Sequence, residues 1–129
     1  LEMISVSSIP VTTSFNNEDF NLYFKNLENV ATLLECKPVR HLKKNDNKIS
    51  FILKRVAQFE FVLSKQEDES WVQFDSTSTT TFKSAIRFEL KNSEIQIHFE
   101  TDTNVFMELF LENRISKLLE YISHNLSKI

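Results

Sequence analysis

Between Ile49 and Phe99 the apolar residues of this chain fall at every second position in run after run, and that period leaves little choice of fold. Ile49, Phe51 and Leu53 alternate with Ser50 and Lys54, and Phe59, Phe61 and Leu63 with Glu60 and Ser64. Phe82, Ser84, Ile86, Phe88 and Leu90 alternate with Lys83, Arg87 and Glu89, and Ile95, Ile97 and Phe99 with Gln96, His98 and Glu100. Successive side chains of a strand point to opposite faces, so these runs describe an antiparallel sheet with one apolar and one wet face. The breaks at Asn45-Asp46-Asn47, Gln66 to Glu69 and Lys91-Asn92-Ser93 are short enough for hairpins. Six strands in meander order are expected from Glu35 to Asp102. An extended segment over Ile4 to Val11, held to an edge by Pro10, makes seven.

Two stretches carry a helical period instead. Ser14 to Asp19 supplies capping residues and then acids, after which Phe20, Phe24 and Leu27 share one face, with Tyr23 beside them. A second apolar run, Val30-Ala31-Leu33-Leu34, implies two short helices meeting at a bend where Asn takes the left-handed role of glycine. From the capping pair Thr103-Asn104 onwards, Leu111, Ile115, Leu118, Ile122, Leu126 and Ile129 recur at gaps of three and four, with Leu119 widening the stripe. Glu112, Lys117, Glu120 and Lys128 lie opposite. This predicts a C-terminal helix of about 20 residues laid on the apolar face of the sheet.

The chain contains no glycine. That excludes the dinucleotide-binding and phosphate-binding loops, the nucleophile elbow and the usual EF-hand turn. Hairpins must turn on Asn, Asp and Ser, and the turns look long enough to avoid forced positive φ. A net charge of −3 with an isoelectric point near 5.6 gives no general attraction to phosphate backbones, so no nucleic-acid partner is expected. Arg40-His41-Leu42-Lys43-Lys44, between Glu35 and Asp46, reads as a solvated strand end or as an anion patch. The single Cys36 reads as a small apolar residue, and His41, His98 and His124 are isolated, so neither a metal nor another cofactor is expected. Apolar runs are too short to span a bilayer and no leader opens the chain, which predicts a soluble cytoplasmic protein without stable membrane insertion. The mixed signs on the last helix argue against a membrane-surface role for it. Leu1-Glu2 ahead of Met3 reads as a cloning remnant, leaving residues 3–129 as one domain.

The order strand, two short helices, six antiparallel strands and long final helix resembles the α+β helix-grip fold of the START-like (SRPBCC) superfamily. Val11-Thr12-Thr13-Ser14, Glu18-Asp19-Phe20 and Phe24 to Asn29 look like the opening of its small bacterial members, and Leu111 to Leu126 looks like their closing helix. The glycine-rich loop of many relatives is missing, its place taken by Asn45-Asp46-Asn47. Intracellular fatty-acid-binding barrels also place two helices after the first strand, but they continue as strands to the end.

The resemblance implies a curved sheet around the final helix and, between them, a cavity for a small apolar or amphipathic ligand, held without catalysis. Its expected lining is Phe51, Leu53, Phe61, Leu63, Phe82, Ser84, Ile86, Phe88, Ile97 and Phe99 from the sheet, with Leu111, Ile115, Leu118 and Ile122 from the helix. Twelve phenylalanines could equally fill that space and leave no cavity. Ser84, a hydroxyl on an apolar face, then needs a polar partner, either a backbone carbonyl or a ligand. Cyclase-like relatives use polar groups inside the cavity, for which only Arg55, Gln73 and Asp75 stand as candidates, and Val72-Phe74 competes with them for the inward face. A protein partner is the alternative: Trp71 follows the acidic turn, and Phe106, Met107 and Phe110 crowd the start of the last helix. The hydroxyl run Ser76 to Thr81 reads as a strand continuation or turn, or as a phosphorylation segment.

Overall fold

A computed structural model describes residues 2–129; Leu1, read as half of a cloning remnant, lies outside them. The elements are β1 (Glu2–Ser7), β2 (Val11–Thr12), α1 (Asn17–Phe24), α2 (Leu27–Leu33), β3 (Val39–Asn45), β4 (Lys48–Leu53), β5 (Ala57–Leu63), β6 (Trp71–Ser76), β7 (Ser84–Lys91), β8 (Glu94–Thr103) and α3 (Glu108–Leu126). The sheet runs β1-β8-β7-β6-β5-β4-β3, antiparallel throughout, with β2 also paired to β8. This is the expected α+β helix-grip architecture, with eight strands instead of seven.

The extra strand has a local cause. Ser8-Ile9-Pro10 leaves the ladder, since Pro10 has no N–H to donate, and splits the first extended segment into β1 and β2. The ten-residue β8 is long enough to pair with both, Ser7 opposite His98 and Val11 opposite Ile95. Across the break the Ser8 hydroxyl accepts from the Ile97 N–H at 2.9 Å, while the Ser8 N–H donates to the Ile97 carbonyl, also at 2.9 Å.

Turns without glycine do adopt left-handed backbone, against expectation. His41, Asp46, Arg55, Asn92 and Ser93 have φ between 53° and 65°. Lys91 pairs with Glu94, so Asn92-Ser93 forms a two-residue hairpin loop, and positive φ at both positions suits the twist of the flanking strands. His41 sits where the β3–β4 register shifts. The α1–α2 junction needs no such residue. Asn26 has φ −90° and acts as an N-cap, its side chain accepting from the Glu28 N–H at 2.9 Å.

The inner face is filled with rings. Phe59 and Phe61 lie parallel at 5.9 Å, and Phe99 meets them edge-on at 5.4 and 6.0 Å. Phe24 of α1 stacks on Phe88 at 4.5 Å, and Phe74 abuts the edge of Phe88. Leu111, Ile115, Leu118, Leu119, Ile122 and Leu126 of α3 close this core, packing on β1, β8 and α2, whereas Ile129 lies beyond the helix and is exposed. The Asn104 side chain accepts from the Phe106 and Met107 N–H groups at 3.1 and 3.0 Å and so starts the turn that leads into α3.

One orientation left open is decided and two expected ones are corrected. In β6 it is Val72 and Phe74 that face inward, so Gln73 and Asp75 lie on the solvent side with Trp71. Leu63, at the end of β5, is 38% exposed, and Phe82 is half-buried ahead of β7. Both fall where strand pairing gives way to loop, and alternation there no longer reports a face.

Candidate functional site

Most of the residues expected to line a cavity are buried together. Phe51, Leu53, Phe61, Ile86, Phe88, Ile97, Phe99, Leu111, Ile115, Leu118 and Ile122 are all buried within one continuous core. Ser84 is buried beside them, and its hydroxyl donates to the Phe82 carbonyl at 3.0 Å, so its polar partner is a backbone group. The described grooves open at the surface.

One groove lies where the first half of α3 crosses the end of the sheet. It has a volume of about 440 Å³ and is lined by Lys37, Pro38, Lys54, Phe110, Asn113, Arg114, Lys117 and Tyr121. Phe110, Arg114, Lys117 and Tyr121 follow one another at gaps of four, three and four, within about 40° of one direction around the helix. They form a second stripe on α3, aromatic at its ends and basic in its middle. Glu108 and Glu112 fall on the other side of the helix by the same geometry. Lys37 and Lys54 come from the opposite wall, where the Lys54 N–H donates to the Pro38 carbonyl at 3.0 Å and clips the end of β4 to the link after α2. The Asn125 side chain donates to the Leu33 carbonyl at 3.0 Å and ties α3 to α2.

The electrostatics of this groove oppose those of the whole chain. Four cations and no carboxylate line it, in a protein of net charge −3. Among the described residues the ion pairs are Lys25–Glu67, Lys44–Glu28 and His98–Glu89, so none of the four is neutralised by an acid. The Arg114 guanidinium stands 5.0 Å from the Phe110 ring, close enough for a cation–π contact. Val105, Phe106 and Leu109 extend the apolar end into solvent, with Phe106 92% exposed.

Other candidates are placed apart. Arg55 is an exposed turn residue, whereas Gln73 and Asp75 lie on the outer face, where the Gln73 amide donates to Asp75 at 2.8 Å and accepts from Arg87 Nε at 2.8 Å. Trp71 is covered by the Arg87 guanidinium at 4.0 Å, so this aromatic is already occupied. The Thr77 and Thr79 hydroxyls of the hydroxyl run donate to the Glu60 carboxylate at 2.6 and 2.8 Å, anchoring the segment to β5. Desolvation pushes the Cys36 thiol up to about 11, which leaves it protonated and a poor nucleophile at neutral pH. A wider groove of about 700 Å³ on the outer face mixes Lys65 and Lys83 with Asp75, Glu100 and Asp102 and offers no single sign of charge. Among the described residues, no group of three or more His, Cys, Asp or Glu could hold a metal ion, and no helix is long and apolar enough to cross a membrane.

Two features escaped the sequence reading. The basic-aromatic stripe of α3 was visible in the spacing of Phe110, Arg114, Lys117 and Tyr121, but a stronger apolar stripe on the same helix masks it. His98 is not isolated, for it lies between Ser7 and Glu89 on the outer face, and that contact depends on a strand register spanning 91 residues.

The sequence matches no family model and no curated protein. Solved structures with a similar fold do exist. An uncharacterised protein from Bacillus thuringiensis superposes with a TM-score of 0.62 at 9% identity, over 96% of this chain and 98% of that one. A Thermus thermophilus protein gives 0.58 at 12% identity over 95% of each chain. The Aha1 dimer from Colwellia psychrerythraea, solved in solution, gives 0.58 at 12% identity over 98% of this chain and 97% of that one. At such identities the likeness concerns the fold: small bacterial proteins with a curved antiparallel sheet and a C-terminal helix.

Proposed function

We propose that this chain is a START-like domain that holds, without catalysis, a small amphipathic molecule with an anionic end, in the groove between α3 and the end of the sheet. The observation that carries this reading is the line of Phe110, Arg114, Lys117 and Tyr121 facing Lys37 and Lys54, with no acid in the groove. An apolar or aromatic body gains by covering Phe110 and Tyr121, and a carboxylate or similar anion gains by approaching four cations that lack acidic partners. Ring packing in the core moves the proposed ligand from the interior to this end of the grip. A ligand inside would have to displace side chains that are already in contact.

The test is an NMR titration with dodecanoate and, separately, with dodecanol. Dodecanoate should shift the amides around Phe110, Arg114, Lys117 and Lys54, and dodecanol should bind more weakly. Lys54→Glu/Arg114→Glu should weaken dodecanoate binding by about tenfold or more, since a hydrogen bond to a charged group contributes about 1.5–3 kcal/mol. Equal binding of the alcohol, or shifts confined to other surfaces, would overturn the reading.

A second reading, a protein-interaction module with a filled core, is favoured by the exposed Val105, Phe106 and Leu109 beside the groove. Under that reading Phe106→Ser/Leu109→Ser abolishes a stoichiometric protein complex, whereas under the first it leaves the dodecanoate response of the basic residues in place.

A further inference from the structure

Ser7, His98 and Glu89 come from three adjacent strands on the solvent face of the sheet, opposite to the buried face closed by α3. The β1–β8 register sets Ser7 opposite His98, and the β7–β8 register sets Arg87 opposite His98, with Glu89 two residues further along the same face. Ser7 Oγ is 2.8 Å from His98 Nδ1, and His98 Nε2 is 3.2 Å from Glu89 Oε1. With Glu89 ionised, Nε2 carries the ring hydrogen and donates to the carboxylate, which leaves Nδ1 free to accept from the Ser7 hydroxyl. The result is a nucleophile joined to a base, and the base joined to an acid that fixes its tautomer.

A groove of about 440 Å³ opens over this row, lined among others by Ser5, Ser7, Gln73, Arg87, Glu89 and His98. Arg87 is held there from two sides, by Gln73 Oε1 on its Nε and by the Trp71 ring under its guanidinium. Both contacts are to β6, so they draw the guanidinium to the side of β7 away from His98 and Ser7.

We propose that this face is a separate hydrolytic site that acts on small activated carboxylic esters, with Ser7 as nucleophile, His98 as general base and acid, and Glu89 as the positioning residue. Ser7 Oγ forms a bond to the ester carbonyl carbon while its proton passes to His98 Nδ1. The imidazolium then faces the Glu89 carboxylate, and the oxyanion is hydrated in the open groove. Collapse breaks the bond to the leaving alcohol or phenol, which takes the proton from Nδ1. Water entering from the open groove repeats the sequence on acyl-Ser7 and releases the carboxylic acid, restoring all three residues.

The probe is p-nitrophenyl acetate with the intact protein. Release of p-nitrophenol should exceed that of imidazole at equal concentration, and Ser7→Ala and His98→Ala should each lower kcat by about 10²-fold, the scale of general-base assistance. Glu89→Gln should lower kcat with KM unchanged, because Glu89 acts through His98 and not on substrate. His41→Ala/His124→Ala should keep the full rate. In the unsubstituted protein, a fluorophosphonate should label Ser7, located by peptide mass spectrometry, so the assignment does not depend on any variant folding. A Ser7→Ala protein as active as the parent, or a fluorophosphonate adduct absent from Ser7, would overturn the proposal.

Discussion

Ser123 carries a hydroxyl that is buried on α3 with no hydrogen-bond partner among the described residues, the kind of group whose desolvation is left uncompensated. Ser123→Ala is therefore expected to raise stability, by about 0.5–1 kcal/mol in a urea melt, since it removes the polar atom and keeps the backbone. Glu60 presents the reverse case. The Thr77 hydroxyl, then the Thr79 hydroxyl, hold its carboxyl below the ordinary glutamate range. A carboxylate with a folded pKa below its unfolded one stabilises the fold above the unfolded value, and that contribution is lost as pH falls through the folded value. Stability measured between neutral pH and pH 3 should thus fall less in Glu60→Gln than in the parent, though only slightly less, because the group is only half-buried and is screened by solvent. Single residues also explain where the sequence misled. Trp71 suggested an interface anchor from its sequence alone, whereas its ring already carries the Arg87 guanidinium from β7. No property of Trp71 itself announces a partner sixteen residues away.

Among the elements, α3 was legible in its apolar stripe and in its start. Asn104 was recognisable as a cap, and its side chain does accept two N–H groups ahead of the helix. Asn104→Ala should cost about 1 kcal/mol in thermal or urea unfolding, the usual worth of such a cap, and should loosen the Phe106–Phe110 end of the groove more than the Leu126 end. The strands β4, β5, β7 and β8 were legible because one face is apolar and the other mostly polar, so that parity assigns the inner face until pairing ends, as at Leu63. β6 was not. Trp71, Val72 and Phe74 put apolar residues on both faces, and only pairing with β7 decides between them. The second stripe of α3 shows the same limit in a helix. A basic-aromatic face acquires meaning only when Lys37 and Lys54, from a different part of the chain, are brought opposite to it.

At the scale of the molecule, the architecture followed from the order of the periods, whereas both proposed sites required contacts between distant segments. β1 is the clearest example of such a segment, because all of its sheet partners lie in β8. Its buried Ile4 can contribute only after the sheet has been closed by this longest-range pairing, which makes β1 a late element. Ile4→Ala should accordingly speed unfolding while leaving the folding rate nearly unchanged, as stopped-flow denaturant kinetics would report. A folding rate that drops with stability would instead place β1 in the nucleus. The Ser8–Ile97 clamp gives this topology a temporal meaning. On a ribosome the β1 segment emerges long before its partner exists, so for most of synthesis the nascent chain carries an unpaired strand with an exposed edge. The short β1, interrupted at Pro10 and rich in serine, is a segment that can wait in that state with little tendency to pair with a neighbouring nascent chain.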